Sequence, residues 1–575
     1  MTLRNKFGPA AFVNKPTHDA ENAHGVKAYN LEPFGKLYSM LRAALINDTY
    51  YKGWESVIDG FRETVSGVSL EELLGALLAV SNNRLDCSRD AVAFAFTYLV
   101  YNTANASDEL KGHILKSTTK ILSNGNLFSK YILMVRSGCF GSPNINGWKL
   151  RVAKQWLHDM PVEKQVNAIS GSEPPFDIIL RLVRPTPKDK LQESLWGWVQ
   201  GKRSLSADLP DSLVIKHAIE TTKAKFHDPE TYAKLRIQDI FAMVKPIKDD
   251  SCLEVDTSRI PLAAWDFIIP RFTGYQILHN LRGMANRGLF NHQHLVDLVV
   301  RKIRHLTGVD MLKVFSAMMA LSADPLPYTS AKNRKGINDA ISTAFYSAAE
   351  LDIDDKKTLI VVDISPSMFT PLKVAQGNKE SQLSSLDVAS MFTAALAYNC
   401  DNGNDSLHVW VVAETLGSIY GPDAPEQNAG FFQQSPIAIS RGLRELGRRT
   451  LGTDLRLPFQ KMESSKLYDY ERIILLSDCE TNSVQSYSGY VHNPSEIQSL
   501  WAEYKKHNPN CKLVMMDCSP NTTTQVKPGK DVHYAYGSNQ YTLEGMVAAI
   551  TSQVPQEVAF QLLTKAELSK LKSGS

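Results

Sequence analysis

Two patterns of apolar residues divide the chain. From about residue 30 to 320, apolar positions recur three and four apart, which is the spacing of one face of an α-helix. Ser69 and Glu72 have the spacing of a capping box, and leucines follow at helical intervals, so a helix is predicted to begin there. Helix after helix without a clear strand is typical of a helical-repeat array.

The other helices predicted in this region are separated by proline or short polar breaks. They lie near 31–46, 88–101, 107–123, 148–160, 212–226, 229–244, 261–270, 293–306 and 311–321, with one more near 337–350. No residue signature of fixed period accompanies them. The repeat prediction therefore depends on the succession of helices alone.

The period changes after about residue 350. Short apolar runs rich in β-branched residues begin at Thr358, Leu407, Arg472 and Lys512. Helices are predicted between and after them near 382–399, 435–448, 494–507 and 542–552. Apolar strands that alternate with helices predict a doubly wound parallel sheet, and such sheets bind ligands at the carboxyl ends of their strands.

These patterns predict two domains, a helical array over residues 1–335 and an α/β domain over 336–575. A chain of 575 residues exceeds what one hydrophobic core usually serves. The sequence contains no run of eighteen apolar residues and opens on polar residues, so we expect no membrane contact and a cytoplasmic location.

Several classes of function lack their motifs in this chain. The seven cysteines are scattered and contain no C-x-x-C pair, which argues against a disulfide framework and a zinc site. No phosphate-binding loop and no dinucleotide fingerprint occurs. A serine hydrolase would need a G-x-S-x-G turn and a histidine base near its serine, and neither accompanies Ser365. We therefore expect a protein that is not an enzyme.

Oxygen-bearing side chains follow the predicted strands of the second domain. Asp363 ends the first strand, and Ser365 and Ser367 come directly after it. Thr453 lies in a later loop, and Asp478 follows another strand. Hydroxyl and carboxylate ligands of this kind suit Mg²⁺, or Mn²⁺ as a substitute. The alternative is a capped turn in which these side chains bind nearby amides and hold no metal.

Charge is distributed unevenly between the two halves. Residues 1–335 carry 43 Lys and Arg against 33 Asp and Glu, and the remainder carries 20 against 27. Between Lys111 and His158 no acidic residue occurs, and the cations are Lys111, Lys116, Lys120, Lys130, Arg136, Lys149, Arg151 and Lys154. Cations without nearby acids are what phosphate contacts need, so a polyanion partner is predicted for the first half.

Aromatic residues are interleaved with these cations. They are Phe128, Tyr131, Phe140, Trp148 and Trp156. Such rings can stack on unpaired bases, which favours single-stranded nucleic acid. The alternative is that the cations form a solvated helix face and the aromatic rings form core.

The order of these parts resembles the Ro ribonucleoprotein family, in which a helical TROVE module precedes a von Willebrand factor A domain. The resemblance extends from about Leu31 to Ile550. The segments that carry it are Asp48-Thr-Tyr-Tyr, Gly147-Trp-Lys-Leu-Arg-Val-Ala-Lys, Asp177-Ile-Ile-Leu-Arg-Leu-Val-Arg, Leu278-His-Asn-Leu-Arg-Gly-Met, Ile337-Asn-Asp-Ala-Ile, Asp363-Ile-Ser-Pro-Ser-Met, Gly452-Thr-Asp and Ser477-Asp-Cys-Glu-Thr.

The resemblance implies a fold and a function. The fold is an α-helical ring of HEAT-like repeats closed by the A domain, with a basic central hole. Members of the family bind noncoding RNA: single-stranded ends of misfolded RNAs enter the hole and Y RNAs bind outside. Bacterial members act in RNA decay with exoribonucleases. We therefore expect a monomeric ring protein that takes part in RNA quality control.

The resemblance also assigns site residues. The five oxygen ligands Asp363, Ser365, Ser367, Thr453 and Asp478 match the metal-ion-dependent adhesion site (MIDAS), whose sixth metal position is left open for a partner's acidic group. The resemblance places Lys149, Arg151 and Lys154 in the family's RNA-binding segment. The full set of predicted RNA-binding residues is Lys130, Arg136, Lys149, Arg151, Lys154, Arg181 and Arg184. At residue 184 this chain has arginine where the family has histidine, which keeps the positive charge and changes its geometry.

Two other functions stay open at this point. The chain could be a scaffold or assembly protein that uses the A domain for metal-dependent docking and binds no RNA. A metal-dependent nuclease is disfavoured, because the sequence lacks the paired carboxylates that bridge two ions in phosphodiester cleavage.

Overall fold

The structure is a computed structural model that describes most of the chain. The described residues are 20–21, 27–30, 33–43, 54–83, 87, 89–169, 174–222, 228–244, 246–248, 253–255, 260–306, 311–323, 326–349, 356–373, 380–400, 406–420, 435–450, 452–479, 496–518, 523–537, 546 and 556–573. The predicted helix near 542–552 lies outside them apart from Met546.

The first part of the chain is an array of short helices. They are α1 (Pro33–Ala43), α2 (Trp54–Ser66), α3 (Leu70–Asn82), α4 (Arg89–Asn102), α5 (Asp108–Ile121), α6 (Gly125–Ser137), α7 (Gly147–Asp159), α8 (Val162–Ile169), α9 (Phe176–Val183) and α10 (Lys190–Val199). The predicted capping box is present: Ser69 accepts a hydrogen bond from the Glu72 amide, and the Glu72 carboxylate accepts one from the Ser69 amide.

These helices form two walls. Helices α3, α5, α7 and α9 contact one another in that order, and we call them the odd wall. Helices α4, α6, α8 and α10 do the same on the other side, and we call them the even wall. Alternation between two layers is how a helical-repeat array buries a continuous core. Leucine, valine and aromatic side chains from both walls fill the space between them.

The array continues through α11 (Asp211–Thr222), α12 (Ile237–Met243), α13 (Trp265–Arg271), α14 (Gly274–Ala285), α15 (Gln293–Arg304), α16 (Met311–Ala323) and α17 (Ala331–Ala348). The helix predicted near 229–244 is divided: a 3-10 turn over Pro229–Lys234 is followed by extended backbone at Leu235 and Arg236 before α12 begins. The Arg236 guanidinium donates 2.8 Å to the Val166 carbonyl of α8, which joins the two parts of the array.

The array also contains short strands that its helical pattern did not predict. They are β1 (Ala20–Glu21), β2 (Lys27–Asn30), β3 (Pro246–Lys248) and β4 (Leu253–Val255). No single described helix is long and apolar enough to cross a membrane; α2 and α3 reach that length and composition only together, across a bend of 110°.

The second part is an α/β domain. Its strands are β5 (Thr358–Asp363), β6 (Pro371–Lys373), β7 (Glu380–Ser384), β8 (Leu407–Val412), β9 (Leu416–Tyr420), β10 (Arg472–Ser477), β11 (Lys512–Asp517), β12 (Thr523–Thr524) and β13 (Val532–Tyr536). Its helices are α18 (Ser385–Cys400), α19 (Pro436–Gly447), α20 (Leu457–Ser464), α21 (Glu496–His507) and α22 (Gln556–Ser573).

The main sheet has six strands in the order β13-β11-β10-β5-β8-β9. All neighbours are parallel except β9, which lies antiparallel at the edge. The chain leaves β5 towards β8 and later returns to β10 on the other side, so the order reverses between β5 and β10. The carboxyl ends of these two strands form the crevice where open α/β sheets bind ligands.

The two faces of the sheet belong to two different cores. Alternate residues of a strand point to opposite faces. Ile360 and Val362 join the core that contains α11 to α19, whereas Leu359 and Val361 join the core that contains α1 to α10. The sheet therefore connects both ends of the helical array.

The array and the sheet domain form a closed ring. At one junction α16 packs on α18, α19 and β7. At the other, α1 and α3 pack on α22, and β2 pairs with β12. The predicted fold class, a helical ring plus a doubly wound α/β domain, is confirmed.

Candidate functional site

The first candidate site lies at the carboxyl end of β5. Asp363 is fully buried, and its carboxylate accepts hydrogen bonds from the Ser365 amide at 2.9 Å and from the Ser477 hydroxyl at 2.6 Å. The Ser365 and Ser367 hydroxyl oxygens lie 3.1 Å apart. The turn after β5 thus gathers a carboxylate and two hydroxyls within a few ångströms.

A second loop brings Thr453 to the same edge. The Thr450 hydroxyl donates 3.1 Å to the Ile364 carbonyl, and the Asp454 amide donates 2.9 Å to the Ala413 carbonyl at the end of β8. Thr453 is 1% exposed, and its hydroxyl has no hydrogen-bond partner among the described residues. A buried hydroxyl without a partner costs free energy, so a ligand for it is to be expected.

Asp454 is not available as a ligand at this site. Its carboxylate forms a buried ion pair with the Arg456 guanidinium, at 2.7 and 2.8 Å. A paired carboxylate of this kind is already neutralised.

Three buried carboxylates, those of Asp363, Asp478 and Asp517, lie at the carboxyl ends of β5, β10 and β11. Burial raises the pKa of the Cys518 thiol well above its usual range, and the nearby charges of Asp517, Asp478 and Asp363 raise it further. Burial also raises the pKa of Asp363, against the hydrogen bonds from Ser477 and Ser365. A cation at this edge would stabilise the charged carboxylates.

The donor set fits a small hard cation. Asp363, Ser365, Ser367, Thr453 and Asp478 offer oxygen alone, which is the chemistry that Mg²⁺ prefers. Within the described residues no cluster of three or more His, Cys, Asp and Glu is placed to hold a metal ion, so hydroxyl groups are essential to this set. The sequence prediction missed Ser477, whose hydroxyl orients Asp363, because its role depends on the pairing of β10 with β5.

The second candidate site is a row of cations on the odd wall. Arg151 and Lys154 are exposed on α7, and Lys116 and Lys120 are exposed on the neighbouring helix α5. None of these four side chains has an ion-pair partner within the part of the chain that the structure describes. We call these four residues the odd-wall row.

Two of the predicted RNA-binding cations are not free. Lys149 is only 8% exposed, and its ammonium donates 2.7 Å to the Ser142 carbonyl and lies over the Tyr101 ring. Burial lowers its pKa. Lys130 forms an ion pair with Asp90 of α4. The expectation that both offer uncompensated charge was wrong, because helix packing directs them inward or towards a carboxylate.

The other predicted cations are exposed, but they do not all share one wall. Arg136 lies on α6, in the even wall. Arg181 lies on α9 and pairs with Asp177 at 3.2 Å. Arg184 follows α9 with a left-handed backbone (φ 48°), a conformation that arginine seldom adopts.

A cavity of 820 Å³ adjoins Arg184, between the ends of α9 and α10. Trp196 and Leu180 contribute to its lining, as does the ion pair of Arg203 with Glu193. Lys202 lines it as well, and it has no ion-pair partner among the described residues. Lys202 is not among the predicted cations, because it lies on a different segment of the chain from Arg184.

Most of the interleaved aromatic rings belong to the core. Phe128 and Trp156 are buried and stack on each other, with ring centroids 3.9 Å apart, and Tyr131 is buried as well. Trp148 is half-buried at the surface of α7, and the Arg151 guanidinium lies 5.8 Å from its ring. For these three rings the alternative, that they form core, is therefore correct.

Comparison with known proteins identifies the fold. No protein-family model matches the sequence, and no curated protein matches it. Among solved structures, the crystal structure of the Deinococcus radiodurans Ro (Rsr) protein matches with a TM-score of 0.56 and 14% sequence identity. The match covers 91% of this chain and 100% of that one. This confirms the resemblance to Ro proteins in fold.

Proposed function

We propose that this chain is a non-catalytic, Ro-like ring protein that binds RNA. The observation that carries the proposal is the odd-wall row: four exposed cations on two adjacent helices without carboxylate partners among the described residues. RNA phosphates supply the missing negative charge, and the release of their counterions favours binding. The likeness of the fold to a Ro protein supports the same proposal.

Single-stranded RNA is the form that suits this surface best. Trp148 lies on the same helix as Arg151 and Lys154, is partly exposed, and has the flat faces of an aromatic ring. Unpaired bases stack on such faces, whereas bases within a duplex do not. We propose that the natural ligands are single-stranded ends of noncoding RNAs together with structured small RNAs of the Y RNA kind. The role is RNA quality control, with an exoribonuclease as a partner.

A charge-reversal variant tests the proposal. In K116E/K120E/R151E/K154E, the affinity for single-stranded RNA at about 0.15 M salt is expected to fall more than tenfold, because four phosphate contacts become repulsive. The slope of log affinity against log salt is expected to become shallower by about three units, at roughly 0.7 per phosphate. Filter binding at several salt concentrations measures both quantities.

The matched control is Arg136→Glu. Arg136 is exposed like the row but lies on the even wall, so this variant is expected to bind RNA within about twofold of the parent protein. A fall in log affinity in Arg136→Glu as large as a quarter of the fall in the quadruple variant would mean that total charge matters rather than the odd wall. An unchanged affinity in the folded quadruple variant would refute the proposed surface.

A second candidate function is metal-dependent docking of a protein at the strand edge. The observation that favours it is the orphaned hydroxyl of Thr453 beside the buried Asp363. We propose that Asp363, Ser365, Ser367, Thr453 and Asp478 hold Mg²⁺ or Mn²⁺. A bound ion would attract an acidic group of a partner protein. The chain acts as a scaffold through this site, in addition to binding RNA or without it.

A further inference from the structure

The two junctions of the ring differ in how the chain connects them. Where α16 meets α18 and α19, nine residues link α17 to β5, so the two parts stay tethered. Where α1 and α3 meet α22, the partners lie almost five hundred residues apart in sequence. We call this second junction the seam. A ring made from one chain can open widely at the seam without breaking a short covalent link.

The α22 helix lies directly against the backbone of α3. A Cβ atom added at Gly75 would lie 2.7 Å from the Leu568 side chain and 3.0 Å from the Thr564 carbonyl oxygen. Only glycine allows an approach this close. The packing of α22 therefore depends on one residue of α3.

Aromatic contacts anchor the other end of α22. The ring of Phe560 lies 5.3 Å from that of Phe34 and 4.8 Å from that of Tyr38. Tyr38 in turn lies 6.1 Å from Tyr536 of β13. The pairing of β2 with β12 adds a ladder of only two residues. Helix α22 thus supplies most of the contact at the seam.

The seam also contains unfavourable features. The Thr564 hydroxyl is buried and has no hydrogen-bond partner among the described residues. The Glu567 carboxylate is 5% exposed and depends on Asn82, at 2.6 Å, and Lys570. A pocket of 310 Å³ lies between α3, α5 and α22 beside Leu571. A buried polar group without a partner weakens packing.

We propose that α22 is a releasable clasp. Helix α22 leaves α3 and α1, and the Tyr38–Tyr536 contact and the β2–β12 ladder separate with it. The ring then opens at the seam while the helical array and the sheet domain remain folded. Helix α22 packs through one face, and that face contains a hydroxyl without a hydrogen-bond partner among the described residues. Elements packed in this way open locally before the rest of a structure unfolds.

Hydrogen exchange on the full-length chain tests the clasp with matched variants. Gly75→Ala is expected to speed exchange of the amides in 556–573 at least fivefold, because the added methyl pushes against α22. Gly112→Ala on α5 is the control, since a Cβ there meets nothing within 4 Å and helix propensity rises equally. Thr564→Val keeps the shape and removes the orphaned hydroxyl, so it is expected to slow the same amides several-fold.

The pattern across the molecule decides the outcome. If α22 is a clasp, the amides of α16, α18 and α19 keep the exchange rates of the parent protein in Gly75→Ala, Gly112→Ala and Thr564→Val. If α22 exchanges only together with the sheet, it is an integral part of the core and the proposal is wrong. Should Gly75→Ala fail to fold, Phe560→Ala replaces it. Loss of the ring contacts with Phe34 and Tyr38 is then expected to speed exchange of the amides in 556–573 at least fivefold, and unchanged rates would overturn the clasp.

Discussion

The strand edge and the odd wall show two different ways in which a sequence encodes a binding site. At the strand edge, Asp363, Ser365 and Ser367 occupy alternate positions of one turn, so their proximity follows from the sequence itself. On the odd wall, Lys116 and Arg151 come from different helices, and their common surface follows from how the helices pack.

The difference affects which predictions can succeed. A motif at the end of a strand specifies both residue types and direction, because a parallel sheet collects its strand ends at one edge. A stretch without acidic residues specifies only local composition. It cannot distinguish Lys149, which points into the protein, from Lys154, which is exposed.

The largest expected effect is that of Asp363→Asn, at the strand edge, on the stabilisation of the folded state by Mg²⁺. If the parent protein binds Mg²⁺ as proposed, Mg²⁺ at one hundred times its dissociation constant is expected to stabilise the folded state by about 2.7 kcal/mol. The variant is expected to lose this stabilisation, since an amide carries no charge to hold the ion. The thermal denaturation midpoint, measured with Mg²⁺ and with a chelator, detects the loss.

Asp517→Asn is the control for that measurement. Asp517 is another buried carboxylate at the same edge, but it lies outside the proposed set of ligands. It is expected to keep the rise in denaturation midpoint with Mg²⁺. If instead Asp363→Asn keeps the full rise, the cation binds elsewhere and the strand edge is only a hydrogen-bonded turn.

Lys149→Glu tests whether the buried cation of the odd wall takes part in RNA binding. The carboxylate would face the Ser142 carbonyl that now accepts a hydrogen bond from the ammonium, so the variant is expected to lose roughly 1–3 kcal/mol of stability. The RNA affinity of the folded protein is expected to stay within about twofold of the parent. A stable variant with weak RNA binding would show that Lys149 contacts RNA after all.

Lys130→Gln is expected to have the smallest effect. Its ion pair with Asp90 is partly exposed, with 19% and 14% of the two side chains accessible, so its loss costs about 1 kcal/mol or less. Denaturant titration gives the change in stability, and filter binding gives the RNA affinity, which we expect to be unchanged. A tenfold loss of RNA affinity would mean that Lys130 contacts RNA.

Much of the fold could be predicted because its signals are local. The apolar run that ends at Asp363 and the capping box at Ser69 each predict the start or end of an element from a few neighbouring residues. Packing between distant segments leaves no such signal. The contact of Gly75 with Leu568 joins α3 to α22, and neither residue differs from others of its type until the two helices meet.

The candidate sites likewise contain residues that the local sequence predicts and residues that only packing brings together. The hydroxyl and carboxylate set could be named from the sequence, whereas the hydrogen bond from Ser477 to Asp363 depends on the register of β10 with β5. The odd-wall row could be found only in part, because exposure of Lys116 and burial of Lys149 depend on neighbouring helices.

Lysine footprinting with and without RNA tests the central claim most directly. Reaction with an acetylating reagent, read by mass spectrometry, reports each side chain separately. RNA is expected to protect Lys116, Lys120 and Lys154 several-fold, while Lys130 and Lys149 react slowly under both conditions because they are paired or buried. Unchanged reactivity of the three odd-wall lysines at saturating RNA would contradict the account.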